Sequence, residues 1–285
     1  MSRESCLKRH LLHASVECYH RAPLYSGPAR WIEAPVPVRP PASSRPEIDL
    51  ALVGRFAEGI VVAFRGTLPP LDLGPDLKRI IGPDIIGPQV LADWLNDFNY
   101  EPSRNLTIGG ATVPGGVHRG LAGSLGRLWE GVAAEVNRLR RTQPAANLYF
   151  TGHSKGGALA NLAAILARRL WPEAGVKAAT FGAARTGEAD FVRHYGEAGI
   201  DCHRYEVTGD KIPDLPPGLL PVGTLHVLAP IYHPRPRRPV AFVRALIGRE
   251  DQRWLVPPVI AAHLPYPGFG YAEHVCEPEC RHDWH

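Results

Sequence analysis

Thr151-Gly152-His153-Ser154-Lys155-Gly156-Gly157 is the stretch that decides how this 285-residue chain is read. Just before it, Asn147-Leu148-Tyr149-Phe150 is apolar and aromatic enough for a short buried strand. Just after it, Ala158 to Leu170 is dense in Ala and Leu, which favour helix. A serine between a strand and a helix, with glycine two residues away on either side, has the form of a nucleophile elbow. Such a turn is so sharp that a Cβ at Gly152 or Gly156 would collide with the neighbouring strand or helix, and it pushes the hydroxyl out toward a base. The helix N-terminus directs N–H groups and partial positive charge at the oxygen that becomes negative in acyl transfer. A tight glycine turn whose serine merely caps the helix is the bland alternative. The strand before, the doubled glycine and the Ala-rich helix after it favour the elbow.

Outward from the elbow, the pattern alternates strand with helix. Leu7 to Tyr19 reads as a helix, and Ala34 to Pro46 as an irregular stretch rich in Pro and Arg. Strands are predicted at Leu50 to Val53 and Ile60 to Phe64, the second a continuous apolar run of the kind buried on both faces. His118 to Arg141 has helical spacing, with Leu121, Leu125, Leu128, Trp129 and Val132 on one side. Further strands are expected at Lys177 to Phe181, Cys202 to Val207 and Leu225 to Leu228. This succession implies an α/β protein with a mostly parallel sheet and helices on both faces. With no internal repeat and no composition break, residues 1–285 are read as a single domain.

Composition excludes several function classes. A net charge of +4 is mild, and the basic knot Arg235, Arg237 and Arg238 sits in a Pro-rich stretch that reads as a solvated loop, so no nucleic-acid partner is expected. No stretch is apolar for long enough to span a bilayer. Residues 1–10 lack the apolar centre of a signal peptide, and five cysteines form no dense framework. The expectation is a cytoplasmic protein, or one secreted without a recognisable signal peptide. In the tail, Cys276, Cys280, His282 and His285 carry zinc-ligand chemistry at a spacing unlike a standard finger. A Cys276–Cys280 disulfide or free thiols fit equally well, so no metal is assigned.

Five further blocks, in order, make the chain resemble the class 3 lipases, the fungal-type lipase family of α/β-hydrolases. They are Val62-Ala63-Phe64-Arg65-Gly66-Thr67, Asp93-Trp94-Leu95-Asn96-Asp97, Gly116-Val117-His118-Arg119-Gly120, Thr180 to Gly187, and Asp210 to Pro217. The resemblance implies an α/β-hydrolase fold with a lid insertion over residues 68–96. It also implies Thr67 as one oxyanion donor, through its backbone N–H and hydroxyl; without the family, Thr67 is a plain Thr entering a Pro-rich loop. The backbone N–H of Lys155, the residue after the nucleophile, is the other donor. Lys155 departs from the family, which more often has an apolar residue there. Arg65 is expected in a buried ion pair, with Asp97 as partner.

The acid of a hydrolase triad follows the serine, at the end of a later strand. Asp210 lies just past Tyr205-Glu206-Val207 and matches the family's acid position. Asp214 is expected on the loop surface, and Asp201 is at the wrong end of the strand. Any histidine beyond Asp210 is a candidate base: His226, His233, His263, His274, His282 and His285. The resemblance favours His263, in His263-Leu264-Pro265-Tyr266 with Tyr271 beyond, although Ala262 replaces the family's usual Asp; His274 ranks second. His118 and His153 are expected to pack around the elbow. The Gly82-Pro83 and Gly87-Pro88 pairs interrupt Ile80, Ile81, Ile85 and Ile86, which fits either a hinged flap meeting a lipid surface or a permanently buried insertion. The function expected is a Ser154-His263-Asp210 serine hydrolase acting on carboxylic esters, with lipid acyl esters foremost and no cofactor. The alternatives are a phospholipase, a thioesterase, an acyltransferase, or a hydrolase-like binding protein. Oligomeric state is not readable.

Overall fold

Helix α1 (Arg3–Glu17) is followed by strand β1 (Val36–Val38) and by the antiparallel hairpin β2 (Ala51–Phe56) and β3 (Gly59–Phe64). These positions come from a computed structural model, which describes residues 3–19, 29–41, 48–67, 101–228, 262, 263, 265 and 271. The lid reading over 68–96, the alternative base His274 and the Cys/His tail lie outside the described residues. So do His233 and the basic knot at 235–238.

Four two-residue strands come next: β4 (Pro102–Ser103), β5 (Thr107–Ile108), β6 (Ala111–Thr112) and β7 (Val117–His118). The long helix α2 (Arg119–Thr142) leads to β8 (Asn147–His153), then α3 (Lys155–Leu170) and β9 (Val176–Phe181). The short helix α4 (Ala189–Glu197), β10 (Asp201–Val207), a 3-10 turn (Ile212–Asp214) and β11 (Thr224–Leu228) complete the described elements.

The seven-stranded sheet runs in the order β1-β2-β3-β8-β9-β10-β11, antiparallel through β3 and parallel from β3 onward. Strand β3 is buried along its whole length, as its unbroken apolar run predicts. Ile60, Val62 and Phe64 face α2 and α3 in one core, and Val61 and Ala63 face α1 in the other. That two-residue alternation across a covered sheet is what makes the architecture three layers deep. Each of Ile60, Val61, Val62 and Phe64 contributes about 1.5–3 kcal/mol by leaving water, and the single methyl of Ala63 less.

Register sets the functional rim. Phe64 pairs with Gly152, Gly152 with Thr180, and Phe181 with Tyr205, so β3, β8, β9 and β10 end at one edge. In open α/β sheets the ligand crevice lies outside these carboxyl ends. Thr67, Ser154 and Asp210 all follow strands that end there.

Several elements depart from the sequence reading, which expects neither the short strands β4 to β7 nor the 3-10 turn. Strand β1 forms inside the stretch expected to be irregular, and Pro37 is tolerated because β1 is an edge strand. Helix α4 was not anticipated, since it buries only Phe191 and Tyr195, one turn apart. His118 precedes α2 as its cap, with Nδ1 accepting from Leu121 N at 3.3 Å, rather than beginning the helix.

Glu17 at the end of α1 is buried and accepts a 2.6 Å hydrogen bond from Trp31 Nε1. Burial pushes its pKa from 4.5 up to about 7, against the pull of the Trp31 bond. A carboxyl raised on folding is harmless below about pH 4.5, where it is protonated in both states. Its penalty develops as pH rises to about 7 and is complete above, at about 3 kcal/mol for a shift of this size. Glu17→Gln, which keeps an acceptor for Trp31, is therefore expected to raise urea-unfolding stability by about 1–3 kcal/mol at pH 8 and by far less at pH 4.5. An equal effect at the two pH values would show that the charge is not the cause.

Candidate active site

Strand β8 runs through His153 and helix α3 begins at Lys155, leaving Ser154 alone to turn the chain. Its φ of 59° and ψ of −129° lie where few residues other than glycine sit, so the surrounding packing holds it there. A Cβ on Gly152 would lie 2.1 Å from Gly156 C, and one on Gly156 would lie 2.2 Å from Phe64 O. Both glycines are thus required by close approach, as the elbow reading expects. Ser154 N donates to Phe181 O at 3.0 Å, tying the turn to the end of β9.

Asp210 follows β10, and its side chain is almost wholly buried. Oδ2 accepts from His263 Nδ1 at 2.8 Å and from the Tyr271 hydroxyl at 2.6 Å, while Oδ1 accepts from Ile212 N at 2.9 Å. Burial alone would raise its pKa. The hydrogen bond and charge of His263, with the Tyr271 and Ile212 bonds, outweigh that and hold the carboxyl below its ordinary value. Tyr271 is fully buried, and burial together with the Asp210 charge pushes its pKa well up, so it stays a donor. Its oxygen also accepts from Val207 N at 3.2 Å.

The Asp210 contact fixes the tautomer of His263. An ionised carboxylate only accepts, so Nδ1 carries the proton and Nε2 is left with a lone pair. His153, one residue before Ser154, packs against His263 with ring centroids 4.5 Å apart. His153 Nε2 bonds the His263 carbonyl at 2.7 Å, and Nδ1 bonds the Tyr19 hydroxyl at 2.9 Å. Since a carbonyl only accepts, Nε2–H donates and Nδ1 accepts from Tyr19. Burial, then the neighbouring His263 charge, lowers the His153 pKa to about 3, which keeps it neutral and preserves that pattern.

The structure therefore bonds His263 to Asp210 after β10 and packs it on His153, the residue before Ser154 at the end of β8. Thr67 follows β3 and is half-buried. A Cβ on its neighbour Gly66 would lie 2.6 Å from His153 O, so the backbone entering Thr67 runs against the elbow. Lys155 opens α3, and its backbone N–H belongs to the first helical turn.

The other sequence candidates stand elsewhere. Asp214 is exposed and pairs with Arg185 at 3.5 Å, and Asp201 pairs with Lys177 at the opposite end of β10. His226 lies within β11, 2.8 Å from His203 and stacked on Tyr205. Arg65 is buried as expected, with Nε donating to Cys18 O at 2.6 Å; Asp97, its expected partner, is outside the described residues. Sequence reasoning noted Tyr271 only as a tyrosine beyond the histidine and missed Tyr19 altogether. A tyrosine following the candidate base was the one available signal.

Comparison with known proteins follows the same lines. Residues 85–219 match the family model described as Lipase (class 3). A lipase of Rhizomucor miehei is 30% identical over 146 residues, which are 49% of this chain and 38% of that protein. The matched stretch thus spans well under two thirds of the relative's length. The solved triacylglyceride lipase of Rhizomucor miehei superposes with a TM-score of 0.59 at 21% identity, covering 80% of this chain and 81% of the other. A triacylglycerol lipase whose catalytic centre is a serine protease triad superposes with a TM-score of 0.54 at 23% identity, covering 79% of each chain. These likenesses fix the fold as that of the α/β-hydrolases. Among the described residues, no helix is long and apolar enough to cross a membrane. Through the stretch 85–219, and on this fold, the chain is similar to the class 3 lipases.

Proposed function

We propose that this chain hydrolyses carboxylic esters, with lipid acyl esters as its substrates, through Ser154, His263 and Asp210. The observation that carries the reading is the 2.8 Å bond between His263 Nδ1 and Asp210 Oδ2, which leaves the His263 Nε2 lone pair available. Ser154 Oγ attacks the ester carbonyl carbon while His263 Nε2 takes the hydroxyl proton. Asp210 holds the ring in the required tautomer and stabilises the imidazolium. The oxygen of the tetrahedral intermediate lies against the backbone N–H of Lys155 and the N–H and hydroxyl of Thr67. As the carbonyl re-forms, the alcohol leaves with the proton from His263. Water then repeats the sequence on the acyl-serine and frees the acid.

The lipid part of the proposal rests on the class 3 lipase match and on relatives described as triacylglyceride and triacylglycerol lipases. A fluorophosphonate probe tests the reading directly. It is expected to label the wild-type protein on Ser154 and to leave Ser154→Ala unlabelled, with p-nitrophenyl ester and emulsified triacylglycerol hydrolysis lost in parallel. Labelling that persists in Ser154→Ala, or a folded wild type inert to probe and esters alike, would refute it.

A further inference from the structure

The cation directly after the nucleophile has no task in that mechanism beyond its backbone. Yet the Lys155 side chain is 3% exposed, and its ammonium lies 3.6 Å from Asp49 Oδ1. The Asp49 side chain is itself fully buried. Its second oxygen, Oδ2, accepts from Arg127 Nε at 3.0 Å and Nη2 at 2.6 Å, and Arg127 Nη2 also donates to Ser124 Oγ at 3.1 Å. A buried carboxylate thus faces the elbow on one oxygen and helix α2 on the other.

Asp49 is also fastened to the second half of the candidate oxyanion hole. The next residue, Leu50, accepts from Arg65 N at 2.9 Å, and Arg65 is two residues short of Thr67. Gly156, on the other side of Lys155, is pressed so closely on Phe64 O that a Cβ has no room. The two proposed donors come from separate elements, the β8–α3 turn and the segment after β3. Asp49 is joined to both, to the first by charge and to the second by backbone.

We propose that Asp49 is a positioning residue for the oxyanion hole: its ion pair with Lys155 holds the turn that carries the Lys155 N–H in register with the strand end that carries Thr67. The proposal rests on the ester-hydrolase reading and extends it. Stability alone is a poor account of the pair, because burying a carboxylate and an ammonium costs desolvation that a packed apolar side chain avoids. Geometry is the better one. An oxyanion donor acts only when it lies within hydrogen-bond reach of where the negative oxygen will be, and small displacements of such groups are costly. A charge pair anchored one residue from the nucleophile restrains that position without touching substrate.

The test uses the full chain, a soluble p-nitrophenyl ester and a fluorophosphonate whose end-point labelling counts active sites. Asp49→Asn is expected to lower kcat per titrated site by at least about tenfold, with KM changed by less than about threefold, and to slow the labelling rate in proportion. Val136→Ala, a core change on α2 away from the pair, is the control. It lowers thermal stability and leaves kcat per site unaltered. If Asp49→Asn fails to fold, Lys155→Met carries the test with the same expected fall in kcat and labelling rate. Where both fold, the double variant is expected to be no worse than the poorer single one, since both break one link. An Asp49→Asn or Lys155→Met protein with unchanged kcat per site, whatever its melting temperature, would overturn the positioning role alone. A wild type that the probe does not label would instead remove the ester-hydrolase reading and this inference with it.

Discussion

Asp210→Asn is expected to lower kcat/KM on a soluble ester by about 10³–10⁴-fold, equivalent to about 4–5.5 kcal/mol of lost transition-state stabilisation. The size follows from the three bonds that the carboxylate accepts. His263 Nδ1 and the Tyr271 hydroxyl both donate to Oδ2, and Ile212 N donates to Oδ1. An amide offers one acceptor atom and one donor group. If its oxygen replaces Oδ2, its NH2 faces the Ile212 N–H, donor against donor. If its NH2 replaces Oδ2, it faces His263 Nδ1 and forces that nitrogen to accept. The proton then moves to Nε2, which can no longer take the Ser154 hydroxyl proton. In either orientation the negative charge behind the imidazolium is gone.

The same substitution has a stability signature. The folded carboxyl titrates below its ordinary 3.8, so it contributes stability that is present above that value and is lost as pH falls below it. The Asn variant lacks that contribution, and its unfolding free energy should fall less steeply than that of the wild type under acid. Kinetics of the titrated enzyme beside urea melts at pH 7 and pH 3 check both parts. A kcat/KM within about tenfold of wild type would mean that Asp210 does not serve the base as proposed.

How far the sequence could be read depended on whether the information was local. The unbroken run in β3 and the repeating apolar side of α2 are local patterns with one physical meaning each, and both elements form where the pattern says. The elbow is local too, because the glycines needed for close approach flank the serine itself. Chain order then limited the acid and the base. Asp210 stands after a strand beyond the serine, and His263 lies further on, joined to it by a hydrogen bond. What could not be read is long-range and polar. Tyr271 meets Asp210 across 61 residues, and Tyr19 meets His153 across 134. No periodicity announces such pairs, since each tyrosine is also an ordinary core residue. Asp49 was invisible for the same reason, although the odd lysine after the serine was a sign that a buried counter-charge was needed. Pro37 hid β1, because proline argues against a strand except at an edge, and edges are known only once the sheet is assembled.

The layer beneath the candidate base has its own logic. Tyr19, His153 and the His263 carbonyl form a neutral chain in which every donor meets an acceptor. Keeping His153 uncharged through burial means that no cation competes for Asp210. A packed and neutral support of this kind fixes the backbone of His263, while the carboxylate on its other side fixes the ring. Catalytic geometry of this sort depends on such supporting contacts as much as on the reacting groups themselves.

Gly152→Ala is expected to remove folded protein altogether, or to lower the melting temperature by about 10 °C or more. The added Cβ would lie 2.1 Å from Gly156 C, 2.2 Å from Gly156 O and 2.6 Å from Gly157 N, all backbone atoms. A clash with a flexible side chain is relieved by a rotamer change, but here relief requires moving strand β8 or the first turn of α3. Neither can yield easily. β8 is hydrogen-bonded on both sides, by β3 and β9, and α3 is buried from Lys155 through Ala167. Shifting a packed helix by about 1 Å costs on the order of 4 kcal/mol or more, a large share of the 5–15 kcal/mol that keeps a domain folded. The same change made at Gly126 supplies the contrast. That glycine is exposed on α2, and a Cβ there meets nothing within 4 Å. Gly126→Ala should therefore stabilise the protein by about 0.5–1 kcal/mol through helix propensity alone. Thermal melts of the two variants, with soluble yield for Gly152→Ala, decide the matter. A well-folded Gly152→Ala protein melting within about 3 °C of wild type would mean that the turn at Ser154 is not the tight elbow from which the site is built.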